Sequence, residues 1–247
     1  MPTLILTPRF TDDAQALWRA AGRLGWRVER LQGWHVPADL LTVEEPVLYV
    51  EALTGQMIAE QFKLRLLEPP EDWLPRLPER YRKRRIGMMT LAEARRLEGP
   101  AFIKPPNDKS FAAGVYRGSE LPEHYDAAMS VLVSEVVEWE KEFRCFILDR
   151  RLKTFSIYLR DGRLQRDNDF TSSDEEDAEL VSFLEPLLAD EEVVLPRTSV
   201  LDCGVIKGRG WAVVEQNAAW GSGIYGCDPV QVLEVIRYAA VPLETKR

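Results

Sequence analysis

The first third of the chain alternates short apolar runs with amphipathic segments. Residues 3–7 (TLILT) predict a buried strand, and residues 11–23 show helical spacing of apolar positions behind a Thr or Asp cap. Residues 26–30 predict a second strand. The alternation continues with a strand, a helix and a further strand at 47–51, 53–62 and 64–68. A β-α-β pattern of this kind indicates a small parallel sheet in an α/β domain.

The pattern changes after a proline-rich stretch at residues 68–85. From residue 101 onward the chain predicts consecutive strands with few helices between them, which is typical of an α+β domain with a mostly antiparallel sheet. The predicted strands are 100–106, 112–118, 131–137, 142–148, 152–159, 198–206 and 211–217, and the predicted helices are 174–189 and 229–238. We place the domain boundary at residue 85, within a zone that extends to about residue 100.

Composition narrows the class of protein. The chain has 247 residues and a net charge of −8, which disfavours a general nucleic-acid binder. It has three cysteines and no CxxC pair, so neither a disulfide framework nor a zinc site is expected, and a reducing cytoplasm is the natural compartment. No apolar run approaches the roughly 20 residues of a membrane span, and the N-terminal apolar run is too short for a signal peptide.

Two acids and an amide occupy neighbouring strands near the C-terminus. If Gly208 and Arg209 form a two-residue turn, Asp202 lies opposite Glu215. Asn217 then lies on the same face as Glu215. Opposed like charges repel, and a divalent cation would relieve this repulsion; oxygen ligands of this kind suit Mg²⁺. With a turn of another length the pairing would shift, and the acids would be ordinary surface carboxylates.

The segment IKPPNDKSFAAGVY at 103–116 offers two cations. Lys104 ends an apolar strand, and Lys109 lies in a polar loop that small residues follow. Small residues let backbone amides approach phosphate oxygens, and lysine adds a compact charge. The alternative is a surface lysine and an ordinary hairpin loop.

An apolar strand at 131–137 runs into a series of acids. Backbone groups at 135–137 could face a flat base, and a later carboxylate could hold ribose hydroxyls. Glu142 and Arg144 alternate on one strand face. The alternative is a charged edge strand with cross-strand ion pairs.

In this order, the three pieces resemble an ATP-grasp domain over roughly residues 84–240. The resemblance is carried by the stretches FIKPPNDKSF, VSEVVEWEKEFRCF and VVEQNAAWGSGIYG. It is similar to a bacterial and phage ATP-grasp clade formerly filed as a domain of unknown function. It is less similar to glutamate-adding ligases and D-alanine–D-alanine ligase.

The resemblance implies an α+β ATP-grasp fold, in which two α+β lobes clasp ATP. These lobes would form residues 86–247, after a small α/β domain at residues 1–85. The resemblance also implies ATP, Mg²⁺ and an acyl-phosphate intermediate that an amine or related nucleophile attacks, with formation of a carbon–nitrogen bond. The partners would be small-molecule or peptide carboxylates and amines, with no nucleic acid and no membrane.

Matching motif positions imply roles for individual residues. The implied nucleotide-binding residues are Lys104 at the α-phosphate, Glu135, Val136 and Val137 at adenine, and Glu138 or Glu142 at ribose. The implied catalytic residues are Arg144 and Arg160, which would contact phosphates or the acyl phosphate, together with Lys109. The implied Mg²⁺ ligands are Asp202, Glu215 and Asn217.

Two features depart from the family pattern. The loop DKSFAAG has only one glycine, so Lys109 would take over part of the role of a flexible lid. The basic cluster RYRKRR at 80–85 is a solvated linker, or it binds an acidic substrate or a phosphate. An alternative function is an ATP-binding assembly factor without ligase turnover. The sequence does not predict an oligomeric state.

Overall fold

The computed structural model describes residues 1–107 and 110–243. It begins with a parallel sheet, as the sequence predicts. The elements are β1 Pro2–Leu6, α1 Asp12–Arg23, β2 Arg27–Arg30, β3 Glu45–Tyr49, α2 Gly55–Gln61 and β4 Leu64–Leu66. The first three strands lie in the order β2-β1-β3. Thr11 starts α1 because its hydroxyl accepts a hydrogen bond from the amide of Ala14 at 3.1 Å.

A four-stranded antiparallel sheet follows. Its elements are α3 Trp73–Arg76, α4 Glu79–Arg82, β5 Ile86–Thr90, α5 Leu91–Ala94, β6 Ala101–Lys104, β7 Gly114–Tyr116 and β8 Ser130–Ser134. The strand order is β5-β8-β6-β7. One face buries Leu91, Ile103 and Val131 in a small core of its own. The sequence analysis missed β5, because its residues follow directly on the basic cluster.

A five-stranded antiparallel sheet forms the next unit. Its elements are β9 Trp139–Leu148, β10 Arg151–Arg160, β11 Arg163–Leu164, α6 Asp174–Ala189, β12 Thr198–Ile206 and β13 Gly210–Asn217. The order is β11-β10-β9-β12-β13. Helix α6 buries Leu180, Leu184 and Leu187 against one face of this sheet. The opposite face is left for the polar side chains of the site.

The last part of the described chain packs against the first sheet. It contains α7 Pro229–Ile236 and β14 Ala240–Pro242, and β14 pairs with β4. Val232 and Leu233 of α7 share one core with Leu4 and Leu17. The sequence analysis did not predict this return, and the boundary at residue 85 stays a prediction.

The two antiparallel sheets and the parallel sheet confirm the predicted α+β class. Cys145, Cys203 and Cys227 are free and buried. Within residues 1–107 and 110–243, every helix falls short of the length and apolar character that crossing a membrane requires.

Candidate nucleotide and metal site

A β-bulge sets the register of the hairpin that carries the two acids. The predicted two-residue turn is wrong, because Ile206 pairs with Gly210 and the loop has three residues. That loop alone would place Val214 opposite Asp202. An irregularity in β13 shifts the register by one residue, so that Asp202 does lie opposite Glu215. The predicted facing of the two carboxylates is therefore present, although for a different reason.

The side chains of these strands converge on one point. The amide nitrogen Nδ2 of Asn217 lies 3.0 Å from Oε1 of Glu215 and 3.3 Å from Oδ2 of Asp202. Lys104, at the end of β6, forms an ion pair with Glu215. Two strands of one sheet and one strand of the other thus meet at a cluster of polar atoms.

Arg144 of β9 completes the cluster. Its Nε and Nη2 donate to Oδ1 and Oδ2 of Asp202 at 2.9 and 2.6 Å. Asp202 is completely buried and Arg144 is 7% exposed. Bidentate, charge-assisted pairs of this geometry are strong and directional. We expected the crowded acids to need a bound cation, but Lys104 and Arg144 already supply two positive charges.

The two carboxylates differ in proton affinity. Burial raises the pKa of Asp202 to about 6, although Arg144 opposes this effect. Burial acts in the same direction on Glu215, but Lys104 and the Asn217 hydrogen bond outweigh it and bring the pKa of Glu215 to about 2. Glu215 is therefore an anion at neutral pH, whatever the state of its neighbours.

Glu142 lies beside this cluster. It is 9% exposed and accepts a hydrogen bond from the hydroxyl of Tyr158 at 2.8 Å. Burial raises the pKa of Glu142 to about 7, and the nearby charges of Asp202 and Glu215 act in the same direction. Glu142 is thus divided between its neutral and charged forms near neutral pH.

The glycine loop after β13 connects Arg144 to the N-terminal sheet. Nη1 of Arg144 donates to the carbonyl of Gly223 at 3.0 Å, and the guanidinium lies 4.8 Å from the ring centroid of Tyr225. Asp13 accepts a hydrogen bond from the amide of Ile224 at 3.1 Å. Tyr49 donates to the carbonyl of residue 222 at 3.1 Å. Burial raises the pKa of Tyr49, so its hydroxyl stays protonated.

The segment between β8 and β9 forms a hinge. Glu135 accepts from Arg209 Nη2 at 2.6 Å and from the amide of Arg85 at 3.2 Å, and these bonds hold its pKa at about 2. Within the described residues, the backbone groups of Val136 and Val137 form no backbone hydrogen bond. These groups are therefore available to a ligand, whereas the carboxylate of Glu135 is not.

A family model for an ATP-grasp domain, described as the second family of its clade, matches residues 81–235, which is more than half of the chain. The chain belongs to this ATP-grasp family. Among curated proteins, no sequence matches it.

Solved structures share the ATP-grasp fold over almost the whole chain. A RimK domain ATP-grasp protein from Sphaerobacter thermophilus is 15% identical, with 96% of this chain and 98% of that chain covered and a TM-score of 0.57. D-alanine–D-alanine ligase from Bacillus anthracis is 11% identical, with 96% of each chain covered and a TM-score of 0.53. L-amino acid ligase from Bacillus licheniformis is 13% identical, with 97% and 74% covered and a TM-score of 0.55. At these identities the likeness confirms the predicted fold.

Three predicted site residues of the ATP-grasp domain do not join the cluster. Arg160 forms a bidentate ion pair with Glu176 of α6, at 2.6 Å for each bond, and its partner across the strands is Lys141 on the same helix-covered side. The predicted phosphate contact of Arg160 therefore has no support in this geometry. Glu138 is exposed and pairs with Lys207 at 2.7 Å. Lys109 lies outside the described residues.

Sequence reasoning missed several groups at the site. Arg84 is buried and donates to carbonyls of β13, although it belongs to the basic cluster that we interpreted mainly as a linker. Tyr158 stacks on Tyr225 with ring centroids 4.9 Å apart. Asp13 and Tyr49 come from the N-terminal sheet. A buried strand position for Tyr158 was the one signal available, whereas long-range packing alone brings the others here.

The residues at the cluster fit a magnesium ion. Asp202, Glu215 and Asn217 offer two carboxylates and one amide oxygen, which are the hard oxygen ligands that Mg²⁺ prefers. Within the described part of the chain, no group of three or more His, Cys, Asp or Glu side chains is arranged for a metal ion. A protein set of two carboxylates therefore leaves coordination positions for phosphate oxygens.

Proposed function

We propose that this ATP-grasp protein is an ATP- and Mg²⁺-dependent ligase that joins a carboxylate to an amine through an acyl phosphate. The observation that supports this most is the convergence of Asp202, Glu215 and Asn217 with Lys104 and Arg144. Phosphoryl transfer depends mainly on positioning and on neutralising charge, and this cluster has both kinds of group.

The reaction would have two steps. A carboxylate oxygen of the first substrate forms a bond to the γ-phosphorus of ATP, the bond from that phosphorus to the β–γ bridging oxygen breaks, and ADP leaves. The nitrogen of the second substrate then attacks the acyl carbon, phosphate leaves with the bonding electrons, and the nitrogen loses a proton. A carbon–nitrogen bond results.

Each residue at the cluster has a role in this proposal. Asp202, Glu215 and the amide oxygen of Asn217 would hold Mg²⁺, which supplies charge neutralisation to the phosphates. Lys104 would exchange its ion pair with Glu215 for a phosphate oxygen when ATP enters. Arg144, which Asp202 holds in place, would face the transferred group.

The nucleoside would bind beside the hinge. The backbone of Val136 and Val137 would recognise adenine, and Glu135 would hold the hinge through Arg209 rather than contact the base. We favour Glu142 over Glu138 for the ribose, because Glu142 adjoins the cluster while Glu138 is exposed.

The N-terminal domain, which we place at residues 1–85, would form one side of the substrate site. Asp13 and Tyr49 reach the glycine loop from that domain. We propose small-molecule or peptide substrates. D-alanine–D-alanine ligase and L-amino acid ligase, whose names specify amino-acid substrates, share the fold.

The test is ADP release with Mg²⁺ and a panel of amino acids and short peptides. The proposal predicts release that requires an acceptor, falls at least 100-fold in Asp202→Asn, and is unchanged in Asp149→Asn, a surface aspartate paired with Arg197. Tight ATP binding without turnover, together with recovery of a stoichiometric protein partner, would instead indicate an assembly factor.

A further inference from the structure

The facing of Asp202 and Glu215 depends on one extra residue in β13. From the loop inward, pairs such as Gly204–Ala212 and Cys203–Val213 form a regular ladder. If that ladder continued, Glu215 would lie opposite Leu201. Leu201 is completely buried beneath α6, so the carboxylate would point into an apolar core. The bulge at Val214 turns Glu215 to the polar face.

Bulges leave backbone groups without ladder partners, and those groups need other donors. Here the donors come from Arg84. Its Nη1 lies 2.6 Å from the carbonyl oxygen of Val213, and its Nη2 lies 2.8 Å from that of Val214. A single guanidinium therefore binds both carbonyls of the bulged dipeptide.

Arg84 is itself well fixed. It is 7% exposed, its Cζ lies 4.9 Å from a ring centroid of Trp139, and Nη1 also donates to the carbonyl of Arg82 at 3.1 Å. Burial lowers the pKa of Arg84 to about 10, so the guanidinium is charged at neutral pH. The planar fork of arginine matches two adjacent acceptors, which a lysine ammonium matches less well.

We propose that Arg84 is a positioning residue that holds the β13 bulge and thereby keeps Glu215 in register with Asp202 for metal binding. This inference rests on the proposed function. It assigns Arg84 no contact with ATP: the residue acts through the backbone of residues 213 and 214.

The first experiment measures Mn²⁺ binding to the full chain in the presence of ADP, by electron paramagnetic resonance. Arg84→Met should weaken Mn²⁺ binding at least tenfold, which corresponds to about 1.4 kcal/mol. Binding of ADP without metal should stay within threefold of the wild-type value. Arg85→Met is the matched control, because the neighbouring side chain is 91% exposed, and it should bind Mn²⁺ as the wild type does.

The second experiment deletes Val214. In the deleted chain, the residue after Val213 is Glu215, so a regular ladder places Glu215 opposite Asp202 with no bulge to hold. Adding the deletion to Arg84→Met should return Mn²⁺ binding to within threefold of the wild type. A residue that touched the nucleotide or only stabilised the fold would not be rescued in this way.

The outcomes separate the two proposals. Wild-type protein that binds no Mn²⁺ with ADP removes the proposed function, and this inference with it. Wild-type binding that Arg84→Met leaves unchanged overturns this inference alone, as does a deletion that fails to rescue. If Arg84→Met alone does not fold, rescue of both folding and Mn²⁺ binding by the deletion supports the inference, and a double variant that stays unfolded counts against it.

Discussion

Replacing Arg144 with methionine removes the guanidinium that faces Asp202 and keeps a side chain of similar reach. Asp202 is completely buried, and Arg144 is the cation bonded to both of its oxygens, at 2.6 and 2.9 Å. Breaking a buried ion pair by removing one partner costs about 3–5 kcal/mol, because the remaining charge is left uncompensated. We expect Arg144→Met to lose a free energy of unfolding of this size at pH 8.

Urea denaturation at two pH values measures this loss. The pKa of Asp202 is already raised to about 6, and without Arg144 it rises further. A carboxyl with a raised pKa in the folded state loses stability as pH rises, so the deficit of the variant should be large at pH 8 and smaller at pH 5. Adding Asp202→Asn to Arg144→Met should recover part of the loss at pH 8.

Arg197→Met is the control for this prediction. Its ion pair with Asp149 is exposed on both sides, with 50% and 57% of the side chains accessible. Such pairs contribute about 0–1 kcal/mol. A loss of less than 1 kcal/mol at pH 8 in Arg144→Met, or a loss equal to that in Arg197→Met, would refute the assignment of a buried, structurally required pair.

Two further variants test neighbouring parts of the structure. Burial raises the pKa of Glu142 from 4.5 to about 7, so the wild type should lose about 3 kcal/mol of stability as pH rises through that window; Glu142→Gln should flatten the curve, and parallel curves would contradict the assignment. A Cβ at Gly204 would lie 2.5 Å from a backbone oxygen of β9, so Gly204→Ala should cost about 1–3 kcal/mol in thermal or urea unfolding. Gly87→Ala, where nothing lies within 4 Å, is the control, and equal losses in the two variants would be the contrary result.

Local patterns predicted most of the secondary structure. Helix α6 and strand β12 were predicted to the residue at 174–189 and 198–206, because a capping serine and acidic first turn mark one and a long apolar run marks the other. The sequence motifs also brought together Lys104, Asp202 and Glu215. Short elements such as β5 and β14 were missed, since three to five residues carry too little periodicity.

The remaining errors have a common cause. The hairpin loop and its bulge both depart from the simplest register, and the two departures cancel at Asp202. Nothing in the local sequence announces a bulge whose carbonyls are bound by Arg84, a residue 129 positions away from Val213. Likewise, Arg160 was expected near phosphates because of its strand position, whereas α6 supplies Glu176 as its partner. Contacts between distant segments decide these features.

A crystal structure with Mn²⁺ and a non-hydrolysable ATP analogue tests the central claim most directly, because the anomalous signal locates the ion. We predict one ion within coordination distance of Asp202, Glu215 and the Asn217 amide oxygen, with phosphate oxygens in the remaining positions and Lys104 moved from Glu215 to a phosphate. An ion bound elsewhere, or a nucleotide whose phosphates lie away from these three side chains, would contradict the account.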